Sequence, residues 1–210
     1  MAAIIHNDSR LVDRRLSQYF NSRRDQWIDI AKEAVRARAR CTDDHARSAP
    51  GYHAWDAATA RTRQIFRREG WEKGDLNGIE TIINRDFKRM IAILNTDSGT
   101  CDPNRSPRNR TKKGPAAGQL IDLNNQADLF KGYEMGPEIE HPYSLWYYCI
   151  HDDGKSVRSE LSRPIEFADD HIVGFSERIF ILQNGDWEKV LLTPPAEDRG
   201  PEFEINVRRK

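Results

Sequence analysis

Apolar positions recur at helical spacing through the first half of the chain and at strand spacing through the second. Asp8 and Ser9 are N-cap residues ahead of Val12, Leu16 and Tyr19/Phe20, a stripe at three- and four-residue intervals. Ser22, with Asp25 three residues on, has the form of a capping box, and the stripe resumes at Trp27, Ile30/Ala31 and Ala34/Val35. The pattern predicts a break near Ser22 and a second helix after it, with one long helix as the alternative. Residues 41–51 are polar and read as a loop. Trp55, Ala58, Thr62 and Ile65/Phe66 predict a third helix, closed by Gly70 at the position that favours a left-handed residue. Leu76, Ile79, Ile83, Phe87, Met90/Ile91 and Leu94 then predict a fourth, core-facing helix that runs through Gly78.

Residues 95–118 carry no periodicity and are punctuated by Pro103, Pro107, Gly114 and Pro115, the composition of a loop or linker. Beyond them residues 119–124 read as a short strand. Residues 143–151 read as another, with Leu145, Tyr147 and Cys149 on one face and Trp146, Tyr148 and Ile150 on the other. Both faces are apolar, so each needs a cover. Asp152-Asp153-Gly154-Lys155 is turn chemistry leading back through residues 156–161. Strand patterns follow at 165–167 and 177–183, the latter joined to 187–193 through Asn184-Gly185, a hairpin signal. Near the end Phe203, Ile205 and Val207 alternate with Glu202, Glu204, Asn206 and Arg208, as in a half-exposed edge strand. The expectation is an α+β fold: an N-terminal α-helical half of three to four helices, then a C-terminal antiparallel β-meander. By region this gives residues 1–98 helical and basic, 99–118 a basic loop or linker, and 119–210 acidic and β-rich.

Composition narrows the class. A chain of 210 residues with 38% hydrophobic and 31% charged positions can bury a core without metals or disulfides as staples. Cys41, Cys101 and Cys149 are isolated and odd in number, which argues against a disulfide framework or a structural zinc site and for a reducing compartment. The first ten residues lack an apolar signal region, and the apolar runs at 90–94 and 145–150 are too short to span a bilayer. A cytoplasmic protein with no membrane contact is the expectation.

Net charge is zero, but residues 1–118 hold 23 Lys and Arg against 15 Asp and Glu, and the remainder 10 against 18. Halves of +8 and −8 can attract each other within a chain, pair between chains in a homodimer, or face different partners. Arg outnumbers Lys 24 to 9, which serves bidentate phosphate recognition but is also what GC-rich, bacterial-like coding produces. The densest positive run is Arg105, Arg108, Arg110, Lys112 and Lys113, five cations in nine residues without an acid. With Arg61, Arg67 and Arg68 of the third helix, these are the candidate contacts to nucleic acid or a nucleoprotein complex. The acidic half offers Asp169, Asp170, Glu202 and Glu204 as candidate contacts to a basic protein partner.

Enzyme templates find little footing. Pro137-Glu138 followed by Asp153-x-Lys155 loosely matches the carboxylate and lysine layout of a metal-dependent nuclease, but the last two fall in a turn. His141, His151-Asp152-Asp153 and Asp169-Asp170-His171 would need to converge to hold a metal. Gly174-Phe175-Ser176-Glu177-Arg178 has Arg where a nucleophile elbow needs its second glycine, and no phosphate-cradling glycine loop is present. Trp146-Tyr147-Tyr148 could stack bases, yet adjacent strand residues alternate in direction and read as core. Asn109-Arg110-Thr111 is formally a glycosylation sequon. The sequence therefore points to a non-enzymatic binding or regulatory protein, with a protein–protein inhibitor or regulator acting through the acidic β-rich half and a metal-dependent nuclease or hydrolase as the alternatives, and with no cofactor, no metal and no catalytic residue assigned.

Overall fold

The computed structural model describes residues 3–129 and 143–192. A seven-stranded mixed sheet forms the frame: β1 (Ile4–His6), β2 (Glu72–Leu76), β3 (Ile79–Asn84), β4 (Arg89–Asn95), β5 (Ser144–Asp152), β6 (Val157–Ala168) and β7 (His171–Leu182). Their spatial order is β1-β7-β6-β5-β4-β3-β2. Two antiparallel three-stranded meanders, β2–β4 and β5–β7, lie side by side, and the strands at their junction, β4 and β5, run parallel. β1 adds a second parallel pair on β7.

Helices α1 (Ser9–Phe20), α2 (Arg24–Ala39) and α3 (Ala49–Phe66) cover one face. Asp8 caps α1 as the sequence predicts, its carboxylate accepting from the N–H groups of Arg10 and Leu11. The chain then turns at Asn21 in the left-handed region, so the two short helices are the observed arrangement. The cap on α2 is one residue later than the Ser22/Asp25 pattern: Gln26 Oε1 accepts from Arg23 N–H at 2.7 Å. Ser22 faces inward instead, where its hydroxyl receives the Trp27 indole N–H at 3.0 Å. Trp27, Phe20, Phe66, Trp146 and Tyr148 build the centre of this layer. Burying each such ring contributes roughly 1.5–3 kcal/mol before entropy is charged against it.

The opposite face is covered by α4 (Pro115–Leu129), with Leu120 and Ile121 against Met90, Ala92, Leu94, Leu145, Tyr147 and Cys149. Both faces of β5 are thus buried, as its sequence requires. A short helix α5 (Asp186–Leu192) follows β7.

Four expectations are corrected. The sheet is mixed, not a pure antiparallel meander, because the predicted strand at 119–124 lies inside α4. A helix between β4 and β5 returns the chain to the end from which β4 started, so the next strand pairs in parallel. The predicted core helix over 76–94 is the meander β2–β3–β4. Its three- and four-residue apolar spacing is overridden by Asn77-Gly78, both at positive φ in a tight hairpin turn, by Lys88 at φ 50° in the next turn, and by the β-branched run of β3. The predicted strand at 187–193 begins as α5, started by Gly185 in the left-handed region and by Asp186, whose carboxylate accepts from Gln183 N–H. The edge strand expected around Phe203, Ile205 and Val207 lies outside the described residues.

Candidate anion-binding site

The segment joining β4 to α4 holds the densest basic run, and the fold fixes its shape. Asp97 Oδ1 accepts from the N–H groups of Gly99 and Arg108, and Thr96 pairs with Asn109 as an isolated bridge. Asn109 is buried, its amide donating to the carbonyls of Thr111 and Asp170 while its Oδ1 accepts from Ile172 N–H. A side chain so engaged is closed to glycosylation in the folded chain, which disposes of the sequon. From the sheet, Arg178 reaches into the loop and donates to the carbonyls of Gly99, Asp102 and Arg105.

Those anchors turn the cations outward. Arg105 is exposed and, among the described residues, donates only to Ser98 Oγ, at 3.2 Å. Arg108 is exposed, with no side-chain partner among the described residues. Arg110 is exposed and donates from Nε to Thr96 O at 3.1 Å. Lys112 pairs at 3.3 Å with Asp170, both largely in solvent, a contact worth little. Lys113 is half-buried, and burial holds its ammonium below the ordinary lysine value. Asp97 and Asp102 are the acids within the segment, so its charge stays positive.

The helical arginines are elsewhere. Arg61 is spent on Asp29, to which Nε and Nη2 both donate. Arg67 and Arg68 are exposed on a 3-10 turn past the carboxyl end of α3, whereas the amino end of α3 meets the basic segment through Asn95 Nδ2 donating to Gly51 O. At about 1.5 Å per residue, the 18 residues of α3 separate the two groups by roughly 25 Å. A further set, Arg15, Arg89 and Arg163, lies near the amino end of β4, and there Glu177 takes both donors of Arg15.

The acidic candidates divide likewise. Asp169 and Asp170 form the tight β6–β7 turn, both at positive φ, and the turn docks on the basic segment: Lys113 N–H donates to Asp170 O at 2.9 Å. Glu202 and Glu204 lie outside the described residues, as do Glu138 and His141 of the metal reading. Asp153 and Lys155 form the β5–β6 turn, where Asp153 accepts from the N–H groups of Lys155 and Ser156, which holds its carboxyl well below the usual range. No group of three or more metal-ligating side chains converges among the described residues.

Beside the basic segment the surface opens into a cavity of about 230 Å³, walled by Trp55, the turn Asn77-Gly78, Ile79, Glu80, Lys112, Lys113, Gly114 and the first turn of α4, with Ala92, Ile93 and Tyr147 as further lining. Glu80 is held by Arg63. The amino end of α4 carries no acid in its first turn, and Pro115 occupies the position that needs no N–H partner. This end of a helix carries partial positive charge and favours an anion. Sequence reasoning found the cations but not Trp55, Tyr147 or α4, because α4 read as a strand. Comparison with protein-family models, curated proteins and solved structures finds no match, so the chemistry of the site rests on its own geometry.

Proposed function

We propose that this protein is a non-enzymatic binding protein that engages nucleic acid, alone or within a nucleoprotein complex, through the β4–α4 segment. The observation that carries this reading is the outward set Arg105, Arg108 and Arg110, free of ion pairs among the described residues, on a loop whose backbone is pinned by Arg178 and Asn109. A rigid loop presents its cations at lower entropic cost than a mobile tail, and neutralising phosphates releases their counterions. Arg61, Arg67 and Arg68 are left out of the surface by their distance and, for Arg61, by Asp29. The experiment is affinity for generic single- and double-stranded DNA and RNA at 50 and 200 mM salt. The reading expects binding that weakens steeply with salt. No salt-sensitive binding at micromolar protein removes nucleic acid as the direct partner.

A further inference from the structure

Tyr147 is 1% exposed, and its hydroxyl has no hydrogen-bond partner among the described residues. Its neighbour Tyr148 shows what a buried phenol ordinarily does: that hydroxyl donates to Trp27 O at 2.7 Å and meets Ser159 Oγ at 2.9 Å. A hydroxyl taken from water and given nothing in return is destabilising, and phenylalanine would fill the same space without that loss. Tyr147 differs in lining the cavity beside α4.

The charges around that cavity are unequal. Glu80 is satisfied by Arg63 and Lys112 by Asp170, while the Lys113 ammonium has no acid against it among the described residues. It sits half-buried next to Gly114 and the amino end of α4, a 15-residue helix. Burial pushes the Tyr147 phenol up, so it remains a neutral O–H donor, and pushes the Lys113 ammonium down, the direction reversed by an incoming anion. Trp55, half-buried on the rim, adds an aromatic surface, and Ile79 and Ile93 add apolar ones.

We propose that this cavity receives the phosphate monoester of a nucleotide, with Lys113, the amino end of α4 and the Tyr147 hydroxyl on the phosphate and Trp55 against the sugar or base. The inference rests on, and sharpens, the reading of the β4–α4 segment as a nucleic-acid surface: a strand laid along Arg105, Arg108 and Arg110 ends with its terminal phosphate in the cavity. A cavity of about 230 Å³ floored by the sheet suits an end better than an internal diester, whose chain must leave on both sides.

The test uses the full chain and four probes: one oligonucleotide with a 5′-phosphate, with a 3′-phosphate or with hydroxyl ends, and a nucleoside monophosphate as competitor. One phosphorylated end binds at least ten-fold tighter than the hydroxyl-ended strand. Tyr147→Phe and Lys113→Gln each remove that advantage, and Tyr147→Phe leaves the hydroxyl-ended strand bound as before. Because Tyr147→Phe deletes an unpartnered hydroxyl, its unliganded Tm equals or exceeds that of the parent. Salt-sensitive binding with no preference for a phosphorylated end rejects the cavity assignment and keeps the loop surface. Binding of the mononucleotide alone, weakened in Tyr147→Phe, keeps the cavity and rejects the loop surface. A phosphate preference that survives in Tyr147→Phe, or a lower Tm in that variant, overturns the role given to the hydroxyl.

Discussion

Arg178 and Glu160 face each other in the middle of β7 and β6 at 2% and 0% side-chain exposure, joined by two N–H to carboxylate bonds of 2.8 and 2.7 Å. Removing two charges from water is expensive, so the pair persists because every remaining donor and acceptor is used. Arg178 takes three loop carbonyls, and Glu160 takes Ser162 Oγ and Cys101 N–H. The same burial, with the Glu160 charge, pushes the Cys101 thiol well up and leaves it an inert donor toward the carbonyls of Ser159 and Leu182. Arg178→Ala strands a buried carboxylate, and the expected cost is about 3–5 kcal/mol in denaturant unfolding. Replacing both partners by apolar residues of similar volume is expected to cost less than either single change, the result a double-mutant cycle reads directly. In the sequence Arg178 stands out only as the residue that spoils a nucleophile elbow. Its burial follows from a pairing across strands that no local pattern encodes.

At the scale of elements, the correct readings were those where one physical rule dominated. The apolar stripe of α1, the left-handed Gly70 after α3 and the doubly apolar β5 each have a single strong cause, and each was legible. Where two rules compete, the turn chemistry prevails: Asn77-Gly78 is a hairpin signal, and it outweighs a helical spacing that happens to span two turns. The strand pattern at 119–124 failed because the apolar residues of α4 lie close together at Leu120, Ile121 and Leu123, with Gly118 just before them and Pro115 at the start, which leaves little helical periodicity. Its close seat on the sheet is specific. A Cβ on Gly118 would lie 2.9 Å from the Phe167 ring, and Asn124 ties α4 to Leu145 N–H and to the Pro164 carbonyl. Glycine to alanine within a helix normally stabilises by about 1 kcal/mol. For Gly118→Ala the expected sign is opposite, a lower unfolding midpoint, since the ring must move before α4 can dock.

Over the whole molecule some of the opposed charges of the two halves pair within the chain. Arg15 and His6 meet Glu177, Arg38 meets Asp152, and Lys112 meets Asp170, each joining a residue before 118 to one after it. That cancellation was not legible, because the pairings depend on β1 and β4 lying parallel to strands of the later half. Among the cations left without an acid partner in the described residues are Arg105, Arg108 and Arg110 on the outer surface of the β4–α4 segment, the part of the basic sequence that was legible as a run of cations. The most direct test is the dependence of oligonucleotide affinity on salt for the parent, for Arg105→Ala/Arg108→Ala/Arg110→Ala and for Arg67→Ala/Arg68→Ala. With each neutralised phosphate contributing about 0.7–0.9 to the slope of log affinity against log salt, the loop variant should lose roughly 2 to 3 and the helix variant nothing. A slope unchanged by the loop substitutions and reduced by Arg67→Ala/Arg68→Ala would contradict the account.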